Sequence, residues 1–319
     1  MDDRIASVLE DAFPDREVTD LLPTGPSWNQ KNRTVDIEFA DGERIYLKVA
    51  TDRDSSRIAR ERAVLAYMGA NTDVPVPDVV ASDPEWSIPY LVTAPVAGPN
   101  LIELWADAST SERAGLAYQV GSALAGIHTC RFERHSQVFG GGTEGLELDT
   151  GSWTAVLGDT IAETRALAPS DRFEEHFDRV IEAIEANRDL LDEAPAVLCH
   201  GDPAAPNCFH ANERIGFLDW EIAHVGDPAR ELHRAQDQLI DPPRAEGPEE
   251  VVAGLHEGYR ERAGGLPAGF EEREAIYEAV RFLGVSGFFE RWVATREESL
   301  EALAGWVEAE MDRCLAEIR

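Results

Sequence analysis

The residue pattern of this chain changes at a segment rich in proline and glycine, residues 93–99. Before this segment, short stretches alternate apolar and polar residues, as β-strands do when one face is buried. After it, apolar residues recur three and four positions apart, as they do along helices. A chain of 319 residues has the length for about two domains. We therefore expect an α+β fold, with a small, mostly antiparallel sheet in residues 1–95 and a larger, mainly helical part in residues 96–319.

The first part is predicted to be a sheet with one inserted helix, preceded by a short amphipathic helix. Asp41-Gly42 is typical of a two-residue hairpin turn, and it separates two alternating stretches, residues 34–39 and 44–49. The remaining predicted elements of this part are two helices and two short strands, at residues 1–13, 55–69, 79–81 and 90–93.

The second part begins with a capping-box pattern, Ser109 followed three residues later by Glu112, which predicts a helix that runs to about Cys130. Gly140-Gly141-Gly142 is not followed by a helix start with a basic residue, so we interpret it as a flexible loop. A short β insert is expected at residues 196–199 and 214–218. The remaining segments are predicted helices, at residues 151–167, at 172–192, and from 228 to 319 with loops between them.

Acidic residues outnumber basic ones by 61 to 29, which gives a formal net charge of −32. Because nucleic acids and anionic lipids bind clustered basic residues, neither nucleic acid nor a membrane surface is an expected partner. Lys31 and Lys48 are the only lysines. An acid-rich, lysine-poor surface is typical of proteins from halophiles, since it stays hydrated when salt screens its charge. We favour a halophilic origin; a GC-rich genome with a mildly acidic proteome is the alternative.

Several classes of protein are excluded by motifs that the sequence lacks. It has no uncharged apolar run near the ~18 residues that a membrane span requires, and its start does not resemble a secretory signal. The four cysteines form no CxxC pair, which fits a reducing cytoplasm. The zinc motif HExxH, the hydrolase motif GxSxG and the phosphate loop GxxxxGK[ST] are all missing. We expect a cytoplasmic protein outside these classes.

The densest group of chemically active residues lies between positions 197 and 221. A predicted strand leads into His200-Gly201-Asp202, Asn207 follows five residues after the aspartate, and a second apolar strand ends at Asp219. This spacing brings two carboxylates and an amide to one end of a small hairpin. Mg²⁺ prefers oxygen ligands of this kind, with water and phosphate completing its octahedron. The remaining carboxylate can accept a hydrogen bond from a nucleophile.

These residues resemble the catalytic layout of the protein-kinase-like superfamily, in which His-x-Asp is followed by an Asn and by a strand-terminal Asp. Together with Asp219-Trp220-Glu221 and the segment Gly226–Leu232, they resemble the aminoglycoside phosphotransferase and choline kinase branch. The resemblance covers roughly residues 20–300. It implies a bilobal fold with a small antiparallel-sheet lobe that binds ATP and a larger helical lobe that carries the catalytic loop and the acceptor pocket.

The same resemblance implies nucleotide-binding residues upstream. Lys48 matches the phosphate-binding lysine of such kinases, and Glu61 matches the glutamate that pairs with it. Thr93 and Pro95 belong to the segment that matches the hinge. Ser27 follows a single glycine in the segment that matches the phosphate-covering loop, which here lacks the GxGxxG of protein kinases.

For the catalytic group, the resemblance implies that Asp202 orients the acceptor hydroxyl and takes its proton. It implies that Asn207 and Asp219 bind Mg²⁺ on the phosphates of ATP. Taken singly, Asp202 and Asn207 also have a simpler interpretation, because both residue types are common in turns.

Other residues of the motifs carry open or structural interpretations. A compact ammonium at Lys48 suits phosphate binding better than an arginine would, but chance retention is the alternative, because Lys31 also survives. Glu221 is either at the edge of the active site or a surface acid at a strand end. His200 and Glu231 are interpreted as structural residues that brace the catalytic loop.

We therefore expect an enzyme that moves the γ-phosphoryl group of ATP to a hydroxyl of a small molecule, with Mg²⁺ as cofactor. The alternatives are a nucleotide-binding, pseudokinase-like module without turnover, and a transferase of the same fold with another activated donor. The acceptor is open among aminoglycosides, choline-like and amino alcohols, sugars and thiamine-like molecules. Its pocket is predicted from helices between about residues 150 and 190 and between 245 and 300. The oligomeric state is unknown.

Overall fold

The computed structural model describes residues 2–24, 31–294 and 296–318. The chain forms two compact units, and each unit is assembled from segments that are distant in sequence. The first unit comprises Met1–Ala108, Val138–Asp149 and His200–Ala223. The second unit comprises Ser109–Gln137, Thr150–Cys199 and His224–Arg319. The assignment of nucleotide binding to residues 1–95 and of acceptor binding to residues 96–319 stays a prediction.

The described residues form strands and helices in an order that matches the expected α+β class. The strands are β1 (Val18–Pro23), β2 (Asn32–Phe39), β3 (Arg44–Ala50), β4 (Val79–Asp83), β5 (Tyr90–Thr93), β6 (His135–Gly142), β7 (Gly145–Gly151), β8 (Val197–Cys199), β9 (Cys208–Ala211), β10 (Arg214–Phe217) and β11 (His224–Gly226). The helices are α1 (Asp3–Ala12), α2 (Ser56–Asn71), α3 (Leu101–Asp107), α4 (Thr110–Ile127), α5 (Trp153–Leu167), α6 (Glu174–Ala186), α7 (Arg188–Asp192), α8 (Pro228–Leu239), α9 (Glu249–Ala263), α10 (Glu274–Gly287), α11 (Phe289–Val293) and α12 (Leu300–Glu317).

The first unit is built on an antiparallel sheet with the strand order β1-β2-β3-β5-β4. The predicted hairpin is present as β2 and β3, which pair Val35 with Leu47 and Ile37 with Ile45. These four side chains are fully buried, and α1 adds Ile5 to the same core. Alternation of apolar residues therefore buries one face of this hairpin, as the sequence predicted.

The second unit is mainly helical. Helix α4 begins with the predicted capping box, in which the Ser109 N–H donates to Glu112 Oε2 at 2.8 Å and the Glu112 N–H donates to Ser109 Oγ at 3.4 Å. Strand β11 pairs with β8 and with the first residues of β6. Helix α10 packs against α5, α6, α8 and α12. In the part of the chain that the structure describes, no helix combines the length and apolarity needed to span a membrane.

The flexible loop expected at Gly140-Gly141-Gly142 is wrong, because these residues end strand β6. Gly141 has a φ of 116°, and a Cβ atom at this position would lie 2.4 Å from the carbonyl oxygen of Gly145. Glycine is thus required by the close approach of the two strands of this hairpin. Three residues without side chains carry no alternation of apolar and polar groups, so the sequence could not reveal this strand.

The β insert also pairs differently from the single hairpin that the sequence predicted. Strand β8 pairs with β11 in the second unit, whereas β10 pairs with β9 in the first unit. The turn between β9 and β10 places Asn212 and Glu213 at φ values of 51° and 63°, as a primed hairpin turn requires. At the open end of this hairpin, the Leu218 N–H donates to the carbonyl oxygen of Asn207 at 2.7 Å. The segments that carry Asn207 and Asp219 are therefore joined by a backbone hydrogen bond.

Candidate active site

Lys48 lies in β3, and its ammonium group contacts three carboxylates. Its Nζ is 2.5 Å from Glu61 Oε2, 2.6 Å from Asp219 Oδ1 and 3.4 Å from Glu221 Oε2. The lysine side chain is only 12% exposed, so these contacts are largely shielded from water. The ion pair expected between Lys48 and Glu61 is present, and two carboxylates from a segment 171 or more residues further along the chain join it.

The carboxylates decide the charge of Lys48. Burial favours the neutral amine, but the negative charges of Asp219, Glu61 and Glu221 outweigh burial and hold the pKa of Lys48 well above its ordinary value. Burial, together with the charges of Asp219 and Glu221, raises the pKa of Glu61 against the opposing effect of Lys48. The carboxylates also lie close enough together to surround a cation. Because Lys48 contacts all of them, the cluster is an ion-pair network rather than a separate metal site.

Helix α2 supplies more than Glu61 to this network. Arg57, Arg60 and Glu61 are three and four positions apart, so they share one face of the helix, and all are buried. Arg57 Nη1 donates to Glu221 Oε1 at 2.8 Å, and Arg60 Nη1 donates to the carbonyl oxygen of Glu221 at 3.0 Å. Neither arginine was predicted from the sequence. Their helical spacing from Glu61 was the one available signal.

Glu221 is 7% exposed, so the interpretation as a surface acid is wrong. Its Oε2 accepts a hydrogen bond of 2.6 Å from Asn32 Nδ2, while Oε1 accepts the one from Arg57. Asn32 is the first residue of β2 and is itself buried. The contacts of Asn32 and Arg57 with Glu221 could not be predicted from the sequence, because they join segments far apart along the chain.

The loop after β8 is braced by His200, as expected for a structural histidine. His200 Nε2 lies 2.8 Å from the carbonyl oxygen of Leu218, and the Asp202 N–H donates to His200 Nδ1 at 3.1 Å. A ring that donates at Nε2 and accepts at Nδ1 is the neutral tautomer. The histidine thus links the loop at Asp202 to the end of β10.

Two neighbours of Asp202 fix the shape of this loop. Gly201 has a φ of 90°, and a Cβ atom there would lie 2.7 Å from the carbonyl oxygen of Ile222, so only glycine fits. Asn207 Nδ2 donates to the Asp202 carbonyl oxygen at 2.9 Å and to its Oδ2 at 3.0 Å. The carboxylate of Asp202 is therefore oriented by the amide five residues later.

Asp219 adopts a left-handed backbone conformation with a φ of 63°, which is uncommon for residues other than glycine. Its side chain is 44% exposed, in contrast to the buried carboxylates of Glu61 and Glu221. The residue before it, Leu218, is held by Asn207 and His200 through its N–H and its carbonyl group. The fold thus maintains a strained residue at this position, as proteins often do at functional sites.

The side-chain oxygen atoms of Asn207 and Asp219 fit Mg²⁺ as ligands. Within the described residues, the two hydrogen bonds of the Asn207 amide both use Nδ2, which leaves Oδ1 available as an oxygen ligand. Asp219 contacts Lys48 through Oδ1 and is exposed enough to offer its second oxygen. One carboxylate and one amide oxygen, with phosphate and water, form the kind of ligand set that Mg²⁺ takes.

The other predicted nucleotide-binding residues lie partly in the same sheet. Thr93 is the last residue of β5 and pairs with Tyr46 of β3, two positions from Lys48. Pro95 follows and is exposed. Ser27 lies outside the residues that the structure describes.

In the second unit, Asp227 and Glu231 are both buried and both contact polar side chains. Asp227 is fully buried and accepts hydrogen bonds from Arg273 Nε, at 2.6 Å, and from the Tyr277 hydroxyl. Glu231 Oε2 is 3.3 Å from His128 Nε2, and both residues are buried. These contacts brace helix α8 within its own unit.

The second unit also contains a cavity of about 740 Å³ lined by the C-terminal half of α8, residues 241–246, α10 and α12. Its wall is rich in ionised side chains, and Asp237 Oδ2 lies 2.8 Å from Arg281 Nε. Helix α10 belongs to residues 245–300, one of the two ranges in which the sequence predicts an acceptor pocket. That role stays a prediction.

Solved structures share this fold. Aminoglycoside phosphotransferase APH(4)-Ia is 16% identical, with a TM-score of 0.65 over 99% of each chain. A thermostable mutant of that enzyme, in a ternary complex with ADP and hygromycin B, is 17% identical with a TM-score of 0.63 over 97% of each chain. A candidate fructosamine-3-kinase from Thermobifida fusca YX-ER1 is 18% identical, with a TM-score of 0.58 over 98% of each chain. The expected protein-kinase-like fold, with its small N-terminal sheet lobe, is thereby confirmed.

Sequence comparison gives the family. No curated protein matches the chain significantly. Residues 24–267, however, match the model of the APH phosphotransferase enzyme family. The matched range covers well over half of the chain and contains Lys48, Glu61, Asp202, Asn207 and Asp219. The expected class, a small-molecule kinase that uses ATP, is confirmed at this level, and the chain belongs to the phosphotransferase enzyme family.

Proposed function

We propose that this protein transfers the γ-phosphoryl group of ATP to a hydroxyl group of a small molecule. The observation that carries the proposal is the contact of Lys48 with Glu61 and Asp219, at 2.5 and 2.6 Å. A lysine held in this way presents a fixed positive charge to the phosphates of a nucleotide. A backbone hydrogen bond joins the segment of Asp219 to Asn207, which in turn orients Asp202.

In the proposed reaction, the acceptor oxygen forms a bond to the γ-phosphorus, and the bond from this phosphorus to the β,γ-bridging oxygen breaks, so that ADP leaves. Asp202 orients the acceptor hydroxyl and takes its proton. Lys48 holds the α- and β-phosphates, and Asn207 and Asp219 would hold Mg²⁺. When bound, Mg²⁺ supplies positive charge to the β- and γ-phosphates.

The remaining proposed assignments concern the extent of the nucleotide site. Residues 1–95 bind the nucleotide, and residues 96–319 carry the catalytic loop and the acceptor pocket. Thr93 contributes from the end of β5, Pro95 contributes from the segment that follows, and Ser27 contributes from the phosphate-covering loop. The assignment of Thr93 is supported by its position in the same sheet as Lys48.

Calorimetric titration of Mg-ATP into the folded protein in multimolar KCl tests the nucleotide site. We expect binding that depends on Mg²⁺ and that weakens in Asp219→Asn, because the amide loses the negative charge that a cation needs. Asp36→Asn is the matched control, since Asp36 is also a buried carboxylate of the first unit that pairs with an arginine, Arg44. Absence of binding to folded wild type would overturn the proposal.

Release of ADP in the presence of hydroxylated acceptors tests turnover. The panel begins with the classes named for the structural neighbours, aminoglycosides and fructosamines, and continues with amino alcohols and sugars. With an accepted compound, Asp202→Asn should lower turnover by about 10²-fold or more while Mg-ATP still binds, because the variant lacks the proton acceptor. ATP binding without turnover on any compound would favour the nucleotide-binding module over the enzyme.

A further inference from the structure

The carboxylate of Glu221 connects three separate segments of the first unit. Oε2 accepts from Asn32 Nδ2 at 2.6 Å, Oε1 accepts from Arg57 Nη1 at 2.8 Å, and Lys48 Nζ is 3.4 Å from Oε2. Asn32 begins β2, Arg57 belongs to α2, and Lys48 lies in β3. One side chain therefore links the two strands and the helix that surround the ammonium group.

Because Glu221 is buried, its carboxylate depends on these hydrogen bonds. The Glu221 side chain is 9% exposed, and a carboxylate removed from water is strongly destabilising unless hydrogen bonds replace the water it loses. Both of its oxygens are used, and Arg57 and Asn32 are buried as well. The carboxylate thus has one favourable orientation, and that orientation fixes one side of the surroundings of Lys48.

Hydrogen bonds hold the backbone on both sides of Asp219. On the C-terminal side, Arg60 Nη1 donates to the Glu221 carbonyl oxygen at 3.0 Å. On the N-terminal side, Leu218 is bonded through its N–H and its carbonyl group. A left-handed residue between two anchored neighbours has little freedom to relax, so the Asp219 carboxylate stays where Lys48 and an added cation can meet it.

We propose that Glu221, held by Arg57 and Asn32, is a positioning residue that keeps Asp219 and Lys48 in the arrangement through which Mg²⁺ strengthens ATP binding. The inference rests on the proposed function. Glu221 acts through its neighbours, because both of its oxygens are already used by protein groups. Its own charge is balanced by Arg57, so its contribution is the placement of the other two side chains.

Removing the charge of Glu221 should have two separate effects on ATP affinity, one without Mg²⁺ and one with it. Without Mg²⁺, ATP should bind Glu221→Gln at least as well as wild type, because the surroundings of Lys48 become less negative. With Mg²⁺, the gain in affinity should shrink, because Asp219 is no longer held for the cation. A residue needed only for stability would lower both affinities together or leave both unchanged.

The test is calorimetric titration of ATP, once with EDTA and once with excess Mg²⁺, into the full chain in multimolar KCl. For each protein, the ratio of the two dissociation constants measures the coupling between metal and nucleotide. We expect this ratio to fall about fivefold or more in Glu221→Gln, a size typical of coupling between sites. Asp36→Asn, a buried carboxylate of the same unit that also pairs with an arginine, should leave the ratio within about twofold.

Arg57 gives the second arm. Arg57→Met should lower the ratio as Glu221→Gln does, Arg57→Lys should restore most of it, and the double variant should be no worse than the more severe single variant. Thermal unfolding identifies any variant that is not folded, and Arg57→Met keeps the test valid if Glu221→Gln unfolds. A wild-type ratio retained by folded Glu221→Gln or Arg57→Met overturns the inference and leaves the proposed function intact. No ATP binding by folded wild type overturns both.

Discussion

Lys48 shows how this protein handles a buried charge at the scale of single residues. Its ammonium contacts three carboxylates, and one of them, Glu221, is in turn paired with Arg57. The resemblance to kinases predicted the pair of Lys48 with Glu61, because a lysine in a strand and a glutamate in the following helix match the arrangement of that family. The contribution of Arg57 needed the folded chain, since 164 residues separate it from Glu221.

The carboxylate of Asp227 has no exposed surface, and it accepts hydrogen bonds from Arg273 and Tyr277. In Asp227→Asn, the guanidinium of Arg273 would remain buried without a counter-charge. We expect a loss of about 3–5 kcal/mol in the free energy of unfolding, measured by urea denaturation at constant KCl. The exposed pair of Asp312 with Arg179 is the control, and Asp312→Asn should cost less than about 1 kcal/mol. Equal losses in both variants would contradict the prediction.

Asp237 should make stability depend on pH. Burial raises its pKa from the ordinary value of 3.8 to about 7, against the opposing charge of Arg281. The folded protein therefore binds a proton at this site more readily than the unfolded chain. The stabilisation is complete below the unfolded pKa and is lost as the pH rises through about 7.

The measurement is urea unfolding of wild type and Asp237→Asn between pH 4 and 8. The variant lacks the titrating group, so its stability relative to wild type should rise with pH by up to about 1.4 kcal/mol per unit between roughly pH 4 and 7. Asp178→Asn, which removes a 61% exposed carboxylate from a pair with Arg165, is the exposed control and should change the free energy of unfolding by less than about 1 kcal/mol. Parallel curves for Asp237→Asn would refute the assignment.

At the scale of elements, helices α4 and α9 pack through glycines. A Cβ atom on Gly121 would lie 1.9 Å from the carbonyl oxygen of Leu255, and one on Gly258 would lie 1.9 Å from that of Tyr118. The two backbones approach so closely that no side chain fits between them. Gly115, on the same helix α4, has nothing within 4 Å of its Cβ position.

Replacing Gly121 or Gly115 of helix α4 by alanine should change the stability of the protein in opposite directions. Gly121→Ala should destabilise the protein by about 1–3 kcal/mol, because the two helices must separate to admit the methyl group. Gly115→Ala should stabilise it by up to about 1 kcal/mol, since alanine is the better helix former and meets no neighbour. Thermal or urea unfolding of both variants measures the difference. A stabilising Gly121→Ala would show that the helices are not in close contact.

Elements with strong local signals were predicted well, and elements without them were not. The Asp41-Gly42 turn fixed the β2–β3 hairpin, and the capping box at Ser109 fixed the start of α4. Part of strand β6 was interpreted as a loop and strand β9 was missed, because the glycines of β6 and the four residues of β9 leave no periodic pattern. Local interactions decide the first kind of element, whereas partners distant in sequence decide the second.

At the scale of the molecule, the net charge of −32 means that repulsion between acidic side chains destabilises the folded state. Because salt screens this repulsion, we expect the melting temperature to rise by about 5 °C or more between 0.1 and 3 M KCl. Sucrose at matched water activity is the control, since it changes hydration without screening charge. A melting temperature that stays flat or falls in KCl would contradict the expectation of halophilic behaviour.

The sequence by itself determined the α+β class, the phosphotransferase resemblance and, through that resemblance, the pairing of Lys48 with Glu61, because local patterns and motifs carry each of them. Only the tertiary structure decided that Glu221 is buried, that Arg57 and Asn32 hold it, and that Asp219 is kept in a left-handed conformation. The physical reason is that a buried charge requires partners. Which residues become its partners depends on where distant segments meet, and no local pattern records that meeting.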